Sequence, residues 1–250
     1  MNAGDERAHP AGGDDWWEAW QLDVASVDGL GVAVLLACAP AHGIAWWWTH
    51  VILPERPGPI VVRDHEVPLP RVGFEVRADG LWGELVCETP FEHWTYGLEA
   101  FGVALDDPSD SLRGEIGERL PVGCDLEWEV DAADAARREH GDGAVRGYEQ
   151  FGVVHGEVLL GRSRVEIDAV GRRVHAWGVP AWDQCVVEYW ARRAGGAASA
   201  IVDALPAAAP LGSFVVPIET PGGRRAVLTR TLCRYGTADE IGWSSVFDPE

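Results

Sequence analysis

The sequence predicts an all-β protein, on three observations. Short apolar runs with a two-residue period recur along the chain. Gly, Pro and Asp-Gly punctuate them at close intervals, and hardly any stretch carries the 3.6-residue stripe of a packed helix. Many short strands that alternate with turns imply twisted antiparallel sheets curled around an apolar interior. The economical arrangement is two such halves, residues 14–130 and 147–250, joined by a linker at 131–146 and enclosing a hydrophobic cavity. A single long sandwich is the structural competitor.

Residues 1–13 hold charge, Gly and Pro without an apolar run and read as a disordered tail. Trp16, Trp17 and Trp20 follow in an edge strand or short helix of undecided period. Asp28-Gly29 is a hairpin turn. Beyond it, Leu30, Val32, Val34, Leu36 and Cys38 share one face, and Gly31, Ala33, Leu35 and Ala37 the other, which leaves room for a ligand or a close neighbour. In the run 44–53, Ile44, Trp46, Trp48, His50 and Ile52 oppose Ala45, Trp47, Thr49, Val51 and Leu53, and neither face suits water. Pro54, Pro57 and Pro59 mark a loop before a strand at 60–67, and 72–77 pairs with 81–88 across Asp79-Gly80.

After Pro90, residues 91–103 place His93 and Glu99 on one face, with Trp94, Tyr96 and Leu98 on the other. The polar, Gly-rich stretch 106–121 reads as a loop, and 124–130 as a half-exposed strand. Residues 151–160 form a buried strand, and 164–168 a second one. A turn at 169–171 then sends the chain back through Arg173, His175 and Trp177, completing a three-strand meander. A bland reading pairs Arg173 with Glu166 or Glu157. Residues 185–192, 214–218, 226–233 and 241–247 supply the remaining strands, and the low-complexity run 191–210 is loop or strand.

Forty acidic residues oppose twenty basic ones, all of them arginine, for a formal charge of −20. Such a surface disfavours nucleic acid, and the missing lysine removes Schiff-base and P-loop chemistry. Cys38, Cys87, Cys124, Cys185 and Cys233 sit singly, as reduced core thiols of a cytoplasmic protein would. No run is long and apolar enough to span a membrane as a helix. Thirteen tryptophans against one methionine suggest aromatic walls around something large and apolar, although tryptophan also packs well between sheets.

The runs at 81–102 (LWGELVCETPFEHWTYGLEAFG), 147–161 (GYEQFGVVHGEVLLG) and 171–182 (GRRVHAWGVPAW) resemble the lipocalin-like proteins related to carotenoid 1,2-hydratase. That resemblance implies tandem lipocalin-like β-barrel halves and a hydrophobic isoprenoid, steroid or polyketide-like ligand. Relatives include hydratases and cofactor-free cyclases, so the fold constrains ligand class more than reaction. Gly171, Arg173, His175, Trp177 and Gly178 match a family pattern G-x-R-D-H-S-W-G, and Trp182 a tryptophan shortly after it. Val174 stands where that pattern has aspartate, so either the acid comes from Asp183, Glu99 or Glu92, or the hydratase reaction is changed or lost in this chain.

Hydrating or cyclising an unactivated olefin needs a protonated acid, a carbocation held away from water and one oriented nucleophile. The expected catalytic set is therefore His175, Asp183, Glu99 and His93. The expected ligand-binding lining is Trp46, Trp48, Trp94, Tyr96, Arg173, Trp177 and Trp182. No cofactor and no metal are expected; a cupin-like site from His50, His65, Glu66 and His93 lacks the usual spacing. The expected partner is a hydrophobic small molecule, with a homodimer left open. The expected activity is that of a hydratase, isomerase or cyclase, and the alternative is a non-catalytic carrier.

Overall fold

The computed structural model describes residues 2–132, 137–141, 144–193, 208–236 and 240–250. Among them, β1 (Trp17–Ala25), β2 (Gly31–Ala39), β3 (Ile44–Ile52) and β4 (Ile60–Pro68) form an antiparallel meander. The hairpin of β5 (Phe74–Ala78) and β6 (Leu81–Thr89) leads to β7 (His93–Leu105) and β8 (Gly117–Val130). Next come β9 (Arg138–His140), β10 (Val145–Leu160) and β11 (Ser163–Gly178). The ring closes because β11 pairs with β1, β10 with β8, and the end of β7 with the start of β4. Residues 147–178 therefore complete the barrel begun by the N-terminal strands, and the proposed boundary at 131–146 does not separate two sheets. β12 (Val186–Arg193), β13 (Ala208–Glu219), β14 (Arg225–Tyr235) and β15 (Glu240–Pro249) make a separate sheet in the order β12-β15-β14-β13.

Strand alternation sorts the apolar residues into two cores. Trp20, Leu22, Val24, Trp47, Trp94, Tyr96, Leu126 and Trp128 fill the ring. Trp17, Ala33, Ala37, Trp46, Trp48 and Ile52 face out from β1 to β3 and pack against Trp190, Phe214, Leu232 and Trp243 of the second sheet. The small face of β2 thus serves a close neighbour: a Cβ on Gly31 would lie 2.8 Å from the Trp243 ring. Burial on both sides of β1 to β3 explains why neither face of these strands reads as polar.

Four sequence expectations differ from the structure. The meander at 151–177 is a two-strand hairpin, because β11 runs unbroken from Ser163 to Gly178 and the turn lies at Gly161, φ +64°. Gly171 is there for close packing: a Cβ would stand 2.4 Å from Val154 Cγ2 and 3.1 Å from Trp128 Cδ1. The stretch 106–121 contains a 3-10 turn, Pro108–Arg113, capped by Asp107, and then the start of β8. Residues 2–13 are placed, with a 3-10 turn at Ala3–Glu6 and Glu6 buried. Of the five cysteines, all free, Cys185 is exposed and lies outside any core. Residues 194–207, within the low-complexity run, lie outside the described residues.

Gly171→Ala is expected to lower unfolding free energy by about 1–3 kcal/mol through overpacking against a stiff valine and an indole. Gly123→Ala, whose added Cβ would meet Leu159 at an ordinary 3.5 Å, is the neutral control. Urea unfolding of both variants measures the difference.

Candidate functional site

β11 carries the motif, and its alternation divides the motif between two places. Arg173, His175 and Trp177 point into the ring beside Trp20 and Tyr148. Arg172, Val174 and Ala176 point out, toward the second sheet.

Inside the ring, the Arg173 guanidinium donates to both carboxylate oxygens of Glu6, at 2.8 and 2.9 Å, and to Gln150 Oε1 at 2.7 Å. Rings of Trp94, Trp128 and Tyr148 surround it at 4.9–5.3 Å. Next to it, Glu18 Oε1 accepts from His175 Nε2 at 2.8 Å and from His9 Nδ1 at 2.7 Å, while His9 stacks on Trp177 at 4.0 Å. Burial, only partly opposed by Glu18, lowers the pKa of His175 and favours the neutral ring. His9, Glu18 and His175 hold three donor atoms close enough for a metal ion, but at 2.7–2.8 Å they are already satisfied as hydrogen-bond partners.

Outside the ring lies a cleft of about 930 Å³ between β1, β10 and β11 on one side and β12, β14 and β15 on the other. Its walls are mainly apolar, with Val174, Ala176, Trp182, Val187, Leu228 and Phe247 among them. Six polar side chains line it: Glu188 and Tyr189 of β12, and Gln21, Glu149, Arg172 and Ser245. The last four are fixed from behind or by a neighbour. Gln21 Nε2 donates to Asp23, which leaves its carbonyl oxygen as an acceptor. Ser245 Oγ accepts from Arg230 Nε at 3.0 Å, which leaves its own proton to donate. Arg172 and Glu149 are ion-paired at 3.1 Å. Behind the wall, Asp23 is fully buried and accepts from Arg230 Nη1 at 2.7 Å and Trp190 Nε1 at 3.2 Å. Burial raises the Asp23 pKa, but Arg230, together with Arg172 and the Gln21 amide, outweighs it and holds the carboxyl below its ordinary value.

The structure distributes the expected site residues widely. Trp94, Tyr96, Arg173, His175 and Trp177 gather inside the ring, and Trp182 stands on the cleft wall. Trp46 and Trp48 belong to the packing between the sheets, where Trp48 Nε1 donates to His65 Nε2. Glu99 and Glu92 are exposed, Asp183 is exposed in the turn after Trp182, and His93 faces outward 3.7 Å from Glu127. None of these four carboxylates and histidines lines the cleft, so the expected set His175, Asp183, Glu99 and His93 does not assemble. Nor do His50, His65, Glu66 and His93 make a metal cluster among the described residues.

Sequence reasoning missed Gln21, Glu149, Arg172 and Ser245. Register supplies what it lacked: Val174 pairs with Gln21 on one side and Glu149 on the other, so position 174 faces the cleft beside a carboxylate one strand away. A glutamate and an arginine on otherwise apolar strand faces were the available signal.

A closed antiparallel ring with a second sheet docked against it is a lipocalin-like, all-β architecture. The chain belongs to the family described as a domain of unknown function, DUF7064, which matches residues 2–202. Among solved structures it is similar to the crystal structure of CghA with Sch210972, with a TM-score of 0.50, 9% sequence identity, and coverage of 98% of this chain and 94% of that one. No curated protein matches it.

Proposed function

We propose that the protein binds a hydrophobic, ring-bearing or polyene small molecule of terpenoid, steroid or polyketide type in the cleft, and promotes its isomerisation or cyclisation by holding it in one folded shape. The observation that carries this reading is the cleft itself: about 930 Å³ with apolar walls and four polar groups held in place. That combination suits a molecule which must be both sequestered and oriented. The small-molecule complex of the structurally similar CghA supports an occupant of this general kind.

Geometry favours orientation over acid-initiated hydration. Position 174 offers no proton, the neighbouring Glu149 is engaged by Arg172, and Glu188, the other carboxylate on the lining, is exposed to water and so lacks the burial that keeps an acid protonated. A carrier without turnover rests on the same cleft, and it is distinguished by the fate of the ligand.

Ala176→Trp tests the reading, because it fills the cleft without touching the ring interior. Native mass spectrometry of wild type after exposure to a cell extract is expected to show a bound apolar mass that this variant loses, a reduction of at least about tenfold. Incubation of the identified ligand with wild type then separates conversion from storage. Equal retention by both proteins contradicts the cleft as the site.

A further inference from the structure

Arg173 lies inside the ring with 2% of its surface exposed, and among the described residues the carboxylate hydrogen-bonded to it comes from outside the barrel, from Glu6. A guanidinium in such surroundings requires a counter-charge, since an unpaired buried ion is costly. The barrel supplies everything else a carboxylate needs. Phe91 donates its backbone N–H to Glu6 Oε1 at 2.8 Å, and Phe91 is a non-glycine residue at φ +64°, a left-handed conformation that costs free energy. Its carbonyl is held by Gln150 Nε2 at 3.1 Å, and Gln150 Oε1 in turn accepts from Arg173. Two guanidinium donors and one strained backbone donor are thus locked around a single carboxylate position. Arg173 Nε is buried with no hydrogen-bond partner among the described residues, a donor Glu6 does not use.

The segment that carries Glu6 touches the barrel at few points. Glu6 is the one buried side chain between residues 2 and 15, His9 is half-buried against Glu18 and Trp177, and Pro10, Ala11, Gly12 and Gly13, all exposed, connect them to β1. Beside it opens a largely apolar cavity of about 430 Å³, lined by Phe74, Cys87 and Pro90 together with the segment itself. We propose that Arg173, Gln150 and the Phe91 N–H form a carboxylate-binding site at the barrel mouth, occupied in cis by Glu6, whose external ligand is an apolar carboxylic acid that displaces the N-terminal segment and lays its chain where that segment lay, against Phe74, Cys87 and Pro90. This site is separate from the cleft and stands on different residues.

The probes are dodecanoate and, as the neutral counterpart, 1-dodecanol. Calorimetry is performed on full-length Glu6→Gln in the cleft-blocked Ala176→Trp background, so that cleft binding does not contribute. Removing the competing charge is expected to tighten dodecanoate binding by about tenfold or more relative to Ala176→Trp alone, with no gain for the alcohol. Equal affinities for acid and alcohol, or no gain from Glu6→Gln, overturn the proposal. Should the variant fail to fold, hydrogen exchange on wild type decides. Dodecanoate, and not the alcohol, should speed exchange of the Arg7 and His9 amides, which now donate to Gly4 O and Glu18. Unchanged exchange overturns the proposal equally.

Discussion

Asp23→Ala is expected to remove about 3–5 kcal/mol of folding stability, because it leaves Arg230 buried without its partner carboxylate. The pair joins the two layers of the molecule: Asp23 sits on the outer face of β1, and Arg230 reaches it from β14 at 2.7 Å. Trp190 of β12 donates to the same carboxylate, so one side chain ties two strands of the second sheet to the ring. Its removal also frees Gln21, which loses the acceptor for its amide nitrogen. Asp23→Asn should cost less, since an amide oxygen still accepts while the charge is lost. Chemical unfolding of the three proteins measures the effect, and a loss below about 1 kcal/mol for Asp23→Ala would mean that the sheets are held by apolar packing alone.

Acidification is expected to weaken the fold well above the carboxylate range. Burial lowers the pKa of His50, His65 and His175, so each is neutral in the folded protein at pH values where the unfolded chain already protonates its histidines. The sign follows directly. Near pH 7 both states are deprotonated and nothing is lost; as pH falls through about 6.5 the unfolded state takes up protons the folded state refuses, and stability declines. For His65, whose value falls from 6.5 to about 4, the decline continues to about pH 4 and then levels off. Its size is at most about 3 kcal/mol. His65 Nε2 accepts from Trp48 at 2.7 Å, so protonation there also costs a hydrogen bond. His50 is stacked flat on Phe214 with both ring nitrogens unpartnered among the described residues, and its burial acts in the same direction. Urea midpoints between pH 7.5 and 4.5 should fall steadily in wild type and less steeply in His65→Gln, whose amide oxygen still accepts from Trp48.

The strands were legible because a two-residue period survives even in strands buried on both faces. The hairpin at Asp28-Gly29, the Trp46 and Trp47 faces of β3 and the inward set Trp94, Tyr96 and Leu98 all follow from alternation. Partnership was not legible, because pairing is decided between segments far apart in sequence. Nothing in residues 151–178 alone indicates that they close a ring with β1 and β8. Gly171 looked like a turn because glycine serves close packing as readily as it serves reversal. The cleft was hidden for a related reason. Its four fixed polar groups come singly from β1, β10, β11 and β15, and each reads locally as a lone polar residue on an apolar strand. The motif directed attention to Arg173, His175 and Trp177, whereas the residues between them, Arg172, Val174 and Ala176, face the cleft. The N-terminal segment has the composition of a disordered tail, and two anchors, Glu6 on Arg173 and His9 on Glu18 and Trp177, outweigh that tendency.

A crystal structure of the protein with its bound small molecule tests the central claim most directly. The account predicts ligand density between Val174 and Leu228, bordered by Trp182 and Phe247, with a polar atom near Gln21, Arg172 or Ser245. Density for that molecule within the ring, among Trp94, Trp128 and Trp20, with the cleft left to solvent, would contradict it.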